Sequence, residues 1–363
     1  MDADFDLART HFIEGLRAFE AGAWADAEAL FMASLERLPG RPSTLMNLAA
    51  ARTRLGRPAD ALACLATLLA LSPDDGEALF HQGQTLQALG RPAEALRSYD
   101  RVLALDDSVA AAWSQRGGVL KDMGRLPEAA SSFRHALAHG GDAELNGYFL
   151  ASVAGGAVPV AAPRAYVEGL FDSYAADFDE HLAKLGYRTP QHLVALLPSG
   201  RRFASALDLG CGTGLMAPLL QPACAAIDGV DLSSLMLAKA RAAGRYRALH
   251  HADVAEHLQT TNAQHELMVA ADVFIYVGAL EAVFAGVARV LQPGGCFLFS
   301  LEAADPGERL QLRASSRYAH SEDCVRTLAA GNGLHVQQVV PQTLRHEQNR
   351  PIGGLLVLMA RDR

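Results

Sequence analysis

Two rhythms of apolar residues divide the chain near residue 160. Before it, Ala27, Ala61, Ala95 and Ala129 hold one position of a 34-residue period, and Phe31, Leu65, Tyr99 and Phe133 hold another. Gly22, Gly56, Gly90 and Gly124 keep the same spacing. A unit of that length with one glycine predicts two helices joined at a tight turn, the alanine lying where the helices cross closely. Four units follow in register, at 8–41, 42–75, 76–109 and 110–143. A further helical stretch at 142–152 and a Gly/Ala/Pro-rich run at 154–163 predict a capping helix and linker over 144–162.

After residue 160 the apolar residues come in short runs instead. Residues 206–209, 225–230, 246–250, 266–271 and 296–301 read as strands. Helical stretches alternate with them, one from Leu215 onward, one through Leu291 to Pro293-Gly294-Gly295, and one at 322–330. Such alternation predicts a doubly wound parallel sheet. Two closing extended runs, 335–340 and 354–359, predict an antiparallel addition at one edge.

The chemistry gathers at the predicted strand ends. The first strand carries Asp208 and runs into Gly210-Cys211-Gly212-Thr213-Gly214, where absent Cβ atoms let backbone turn tightly and approach a ligand. Asp231 ends the second strand, placed to accept hydrogen bonds from ribose hydroxyls. Asp253 follows the third, as a helix N-cap or as an acceptor for an adenine amino group, with Leu232 and Val254 flanking the ring. Ala271 and Asp272 follow the fourth. Gly212, Gly214 and Ala217 also satisfy the looser dinucleotide fingerprint, so a nicotinamide enzyme is a rival reading. It is disfavoured because Asp208 and Asp253 suit adenosine with a sulfonium, and no dedicated pyrophosphate cradle follows.

With these motifs, residues 163–363 resemble a class I S-adenosylmethionine-dependent methyltransferase of the quinone-biosynthesis and small-molecule branch. The resemblance implies a Rossmann-like α/β domain, with a mostly parallel seven-stranded sheet and an antiparallel edge strand. It also implies S-adenosylmethionine held by Asp208, Gly210, Cys211, Gly212, Gly214, Asp231, Leu232, Asp253, Val254 and Ala271. Glu266 departs from the family's usual Asp at the start of the fourth strand. The family places an aromatic-rich lid helix ahead of the first strand; here Phe171, Tyr174 and Phe178 stand in that place. Tyr174 is expected in the lid beside Phe171, and Phe178 in the core. Residues 8–143 resemble tetratricopeptide repeats, the unit 110–143 most closely through Trp113, Gly117, Phe133 and Ala136, whereas Glu14 stands where a leucine is usual. That resemblance implies an all-α solenoid that binds a protein or peptide partner or self-associates.

Composition narrows the partners. The chain of 363 residues carries a net charge of −8, and residues 1–160 hold 20 acidic against 14 basic side chains, unlike the basic face of a nucleic-acid binder. Five scattered cysteines include no pair at zinc spacing, so neither a metal site nor a disulfide framework is expected. The acidic start lacks the basic and apolar regions of a signal peptide, and no apolar run approaches a membrane span, so a cytoplasmic protein is expected.

The methyl acceptor, a small molecule or a protein, is expected beside residues after the fourth and fifth strands. Asp272 and Tyr276 are candidates, with Glu302, Arg313, Arg317, Tyr318 and His320. His320 is the expected general base, its ordinary pKa near neutrality suiting the task, although it also flanks a helix cap at Ser321. Arg345 and Arg350, expected in a loop between the last two strands, could anchor an acidic substrate. A non-catalytic scaffold that binds S-adenosylmethionine is the remaining alternative.

Overall fold

The computed structural model describes residues 2–347 and 350–362. The chain divides into two units, Met1–Ala154 and Gly155–Arg363. In the first, Asp2–Glu20 pairs with Trp24–Arg37, Pro42–Arg54 with Pro58–Leu71, Gly76–Ala88 with Pro92–Leu105, and Ala110–Asp122 with Leu126–Ala138. Ala143–Ala154 packs on the last helix. Each pair turns at a glycine in the left-handed region, with φ between 66° at Gly90 and 75° at Gly22. The next residue's amide then bonds back across the helix end, Arg57 to the Arg52 carbonyl, Arg91 to Leu86 and Arg125 to Leu120, at 2.8–2.9 Å. This closure satisfies carbonyls that the helix end would otherwise leave bare.

Packing follows the same period. Ala27, Ala61, Ala95 and Ala129 are fully buried, as are the rings of Phe31, Tyr99 and Phe133. Each ring lies against a glycine of the preceding helix: a Cβ on Gly15, Gly83 or Gly117 would stand 2.7, 2.5 or 2.6 Å from the ring. In the second repeat the corresponding residues are Ala49 and Leu65, both buried. A smaller side chain on one helix thus accompanies a methyl on the other.

Among the described residues the second unit has nine strands: β1 Phe203–Leu209, β2 Cys224–Asp231, β3 Ala248–His251, β4 His265–Ala270, β5 Leu291–Ala303, β6 Leu310–Leu312, β7 Tyr318–His320, β8 Leu334–Glu347 and β9 Arg350–Arg361. The first five run parallel in the order β3-β2-β1-β4-β5. β9 lies antiparallel along β5 and β8 along β9, which gives the expected antiparallel edge. β6 and β7 were not foreseen; β7 extends the sheet beside Glu302 and Ala303 of β5, and β6 pairs with β7. The helix expected from Leu215 is a single turn, Ala217–Leu220, with a proline in its first turn. Pro293-Gly294-Gly295 lies within β5 rather than before it, at an irregular register opposite His265 and Leu267 of β4.

Residues 159–162 are tied to the second unit. The Val160 carbonyl accepts from the Gly278 and Ala279 amides, the Ala162 amide donates to Tyr276, and the Tyr318 hydroxyl donates to the Pro159 carbonyl. Among the described residues no helix is long and apolar enough to cross a membrane.

The glycine–ring pairing of the repeats yields a prediction. Gly83→Ala should lower the stability of the first unit by about 1–3 kcal/mol, because overpacking outweighs the helix propensity gained. Gly83→Ala with Tyr99→Leu, which copies the Ala49–Leu65 pairing, should recover part of the loss. Gly118→Ala, where a Cβ meets nothing within 4 Å, should cost nothing. Urea denaturation followed by helical circular dichroism measures all three, and a Gly83→Ala chain as stable as the parent would sink the packing argument.

Candidate functional site

The turn after β1 is glycine by necessity. Gly210, Gly212 and Gly214 have φ of 64°, 54° and 97°, a region that L side chains rarely enter. A Cβ on Gly210 would also stand 2.5 Å from the Val273 side chain, and one on Gly214 would stand 3.0 Å from the Tyr246 ring. Cys211 fits because its thiol is buried; burial pushes its pKa up, and the neighbouring Asp208 and Asp231 push the same way, so it stays protonated and inert.

Two carboxylates hold the turn from beneath. Asp231, at the end of β2, accepts the Gly212 amide at 2.8 Å on one oxygen and the Ser233 amide at 2.8 Å on the other. Burial raises its pKa, and these backbone donors oppose the rise. Ser233 in turn caps the helix Ser234–Ala243 through a 3.1 Å bond from the Met236 amide. Asp208 is only 1% exposed and accepts the Tyr246 hydroxyl at 2.6 Å. Burial pushes its pKa up to about 7, with Asp231 adding to the rise.

The segment ahead of β1 folds over this turn. It comprises helices Arg164–Tyr174 and Phe178–Lys184 and is joined to the turn side by three bonds of 2.5 Å: Ser233 hydroxyl to Asp172, Thr213 hydroxyl to Asp179, and Lys239 ammonium to the Ala176 carbonyl. The aromatic assignments must be exchanged. Tyr174 is 50% exposed and stacks on His181. Phe178, expected in the core, is half-buried and faces the turn, 3.9 Å from where a Cβ on Gly212 would stand. Phe171 meets both Phe178 and Tyr276 edge-on, with centroids 6.1 and 5.4 Å apart. The helix breaks between Tyr174 and Phe178, so one helical stripe could not describe all three rings.

The remaining strand ends line up beside the turn, as the order β3-β2-β1-β4 requires. Asp253 caps the helix Val254–Thr260, accepting the Ala255 and Glu256 amides on one oxygen at 2.8 and 3.1 Å. Val254 is buried and Leu232 half-buried. Ala271 leads into Asp272, which holds a left-handed φ of 56° and is pinned by Ser300: its amide donates to the Ser300 hydroxyl, which donates back to its carboxylate at 2.6 Å. Burial raises the Asp272 pKa, while Ser300, Arg345 and the Tyr187 hydroxyl lower it.

His320 requires a correction. It lies on β7 rather than in a polar loop, is 1% exposed, and meets the Gly278 carbonyl through Nε2 at 2.9 Å. That contact needs a hydrogen on Nε2, so Nδ1 is the free lone pair, and Nδ1 is sealed in the interior without a partner. Burial depresses the imidazole pKa and keeps it neutral. A general base must reach its proton, and this one is spent on the backbone. Arg345 also differs from expectation: it sits within β8 and is buried, rather than lying in a surface loop. Arg350 begins β9.

Residues 207–299 match the family model described as a methyltransferase domain, and residues 40–108 and 80–144 match two tetratricopeptide-repeat models. The chain carries a methyltransferase domain behind tetratricopeptide repeats. It is similar to the malonyl-[acyl-carrier protein] O-methyltransferase of Enterobacter lignolyticus, 32% identical over 43% of this chain and 61% of the relative. A second protein of that description, from Legionella pneumophila, is 34% identical over 43% of this chain and 57% of the relative. The chain thus spans about three fifths of the length of these curated relatives. Magnesium protoporphyrin IX methyltransferase from Synechocystis PCC 6803 superposes with a TM-score of 0.42 at 18% identity, covering 55% of this chain and 99% of that one.

Several residues of the methyltransferase domain's turn escaped the sequence reading. Tyr246 had been read as the start of a strand, yet it supports both Asp208 and Gly214. Ser233 was not singled out, although a serine ahead of an apolar helix is a cap signal, and nothing local signals its bond to Asp172. Thr213, Asp179, Tyr187 and Ser300 gave no signal, because their partners are remote in sequence.

Asp208 predicts a pH dependence. An unfolded aspartate ionises near pH 4, whereas the folded one ionises at about 7. Between those values the folded chain keeps a proton that the unfolded chain has lost, so this group makes stability fall as pH rises through the window. Asp208→Asn keeps an acceptor for Tyr246 and removes the titration. Melting temperatures of the ligand-free chain from pH 4 to 8 should fall less in the variant than in the parent, and parallel curves would refute the assignment.

Proposed function

We propose that the chain is a cytoplasmic S-adenosylmethionine-dependent methyltransferase that methylates an oxygen of its acceptor. The observation that carries this reading is the bare glycine turn held from below by Asp231 and roofed by Phe178. The cofactor fits these residues: Gly212 leaves open the space that a side chain would fill beneath the Phe178 ring. The floor is doubly acidic, which suits a sulfonium and repels a pyrophosphate. The Gly212 amide is already given to Asp231 and those of Cys211 and Gly214 to backbone carbonyls, so these three cannot cradle phosphate. That argues against the nicotinamide alternative.

In this reading Asp231 accepts the ribose hydroxyls with its remaining lone pairs, and Asp253 faces the adenine edge between Leu232 and Val254. The backbone of Gly210, Cys211, Gly212, Gly214 and Ala271 lines the cofactor, Asp208 supports the turn through Tyr246, and Phe171 and Phe178 close over it. Bound there, S-adenosylmethionine supplies an activated methyl group whose leaving group needs no proton. What the protein contributes is alignment and exclusion of water; well-oriented partners reach effective molarities of about 10⁵–10⁸ M. Asp272 and Tyr276 border the acceptor side.

The relatives' names point to an acyl acceptor such as a malonyl thioester. The repeats are assigned to binding a protein or peptide partner, or a second copy of the chain. A scaffold that binds the cofactor without turnover is not favoured by any contact described above.

Calorimetry with S-adenosylmethionine, S-adenosylhomocysteine and NAD tests the proposal. Binding of the first two without NAD is expected; binding of NAD alone overturns the reading. Asp231→Ala should weaken cofactor binding by about 1.5–3 kcal/mol, the worth of hydrogen bonds to a buried charge. Unchanged affinity would show that Asp231 does not meet the ribose.

A further inference from the structure

The chain enters the second unit through a strap that is built into it. Residues 159–162 lie antiparallel to the segment after β4, with Ala161 paired to Val277. The Val160 carbonyl accepts the Gly278 and Ala279 amides at 2.9 and 2.7 Å, and the Ala162 amide donates to the Tyr276 carbonyl at 3.0 Å. The Tyr318 hydroxyl donates to the Pro159 carbonyl at 2.9 Å, from a ring that is fully buried. Gly278 lies between strap and ring. A Cβ there would stand 2.7 Å from the Pro159 carbonyl oxygen and 2.6 Å from the Tyr318 ring. His320 closes the stack from β7 through its bond to the Gly278 carbonyl. The receiving segment is itself fixed, because Phe274, Ile275 and Leu280 are buried in the core.

The strap runs straight into the segment that covers the glycine turn. Ala162 and Pro163 are buried, and the helix Arg164–Tyr174 starts at once. Neither cover helix has a buried residue among those described. The cover is held to the turn side by polar side chains instead, through the bonds of Ser233 to Asp172, Thr213 to Asp179 and Lys239 to Ala176. Beyond it the chain is buried again at Thr189, Pro190 and Leu193. A segment with few buried contacts opens at low cost, whereas backbone bonds over a packed core do not. Ahead of the strap, Gly155 and Gly156 have φ of 70° and 116°, and a Cβ on either would meet nothing within 4 Å.

We propose that the strap is the fixed end about which the cover opens and closes over the cofactor, with Tyr318 as its positioning residue, and that this anchor works independently of the repeats. The proposal rests on the cofactor site assigned above. Phe171 is placed twice over, along its helix from Pro163 and by its edge contact with Tyr276, whose carbonyl the strap holds. Loosening the strap therefore favours the open cover and weakens the hold on the cofactor. The two glycines ahead of the strap take up movement of the chain arriving from Ala154. Tyr318, expected beside the acceptor, gives its hydroxyl to the strap instead, and burial keeps that hydroxyl protonated.

Hydrogen exchange of the full chain, with and without S-adenosylhomocysteine, tests the anchor. The Ala162, Gly278 and Ala279 amides should stay protected in both states, and the cover amides only with the ligand. Strap amides that exchange as fast as the cover overturn the proposal. Tyr318→Phe removes the bond to Pro159 and keeps the ring. It should speed exchange in the cover and weaken S-adenosylhomocysteine binding about 3- to 10-fold, the worth of one hydrogen bond. A lower melting temperature with cover exchange and affinity at the parent's values would mark that hydroxyl as merely structural, and so overturn its role. Val160→Ser changes a residue 71% exposed and keeps the backbone bonds, so it should match the parent. A short Gly/Ser insert after Gly156 should also match the parent, whereas the same insert after Val160 should release the cover. Equal effects of the two inserts overturn the anchor. Failure of the parent chain to bind S-adenosylhomocysteine overturns instead the cofactor site on which the proposal rests, and strap protection in the ligand-free chain tells the two failures apart.

Discussion

The carboxylate of Asp231 is the joint on which the second unit's site depends. One oxygen holds the Gly212 amide and so fixes the turn; the other holds the Ser233 amide and so fixes the start of a helix. Ser233 carries the connection onward, since its hydroxyl caps that helix and also donates to Asp172 of the covering segment. The turn, the helix and the cover are thus linked through one side chain. A change at Asp231 therefore acts on shape and on charge together, and the two can be separated only by comparing binding with stability.

The cost of this arrangement is electrostatic. Asp208, Asp231 and Asp272 are all raised in pKa by burial, and their donors only partly offset it. A buried acid held against its preference is what an incoming cation relieves, so the site is least comfortable when it holds no positive ligand. By the same argument the covering segment gives its acids, the half-buried Asp172 and the exposed Asp179, to hydroxyl donors rather than to further carboxylates.

Legibility followed the range of the interaction. The 34-residue period and the parallel strands are local patterns, and both repeats and sheet could be read from them. The glycine turn and the acid at the end of β2 were legible because their spacing is set by a single strand–helix–strand unit. The covering rings were assigned in the wrong order because a break at residues 175–177 rotates Phe178 relative to Tyr174, and periodicity assumes no break. His320 was misjudged because β6 and β7 have three residues each, too few to carry an alternating signal, so a buried strand read as a polar loop. Arg345 was misplaced because a register shift between Thr343 and Arg345, paired across the hairpin with glycine-bearing β9, turns a charged residue inward.

Glycine serves two opposite purposes in the two units, and the contrast bears on how each tolerates change. In the repeats Gly15, Gly83 and Gly117 make room for a ring already present, so the space is filled and a compensating loss of ring size can restore it. At Gly212 the backbone conformation is strained for any other residue, and among the described residues, chain neighbours aside, the Phe178 ring at 3.9 Å is what lies nearest to where a Cβ would stand. The first kind of glycine answers to packing and can be traded against its neighbour. The second answers to a molecule that must approach the backbone, and no substitution elsewhere in the chain can replace it.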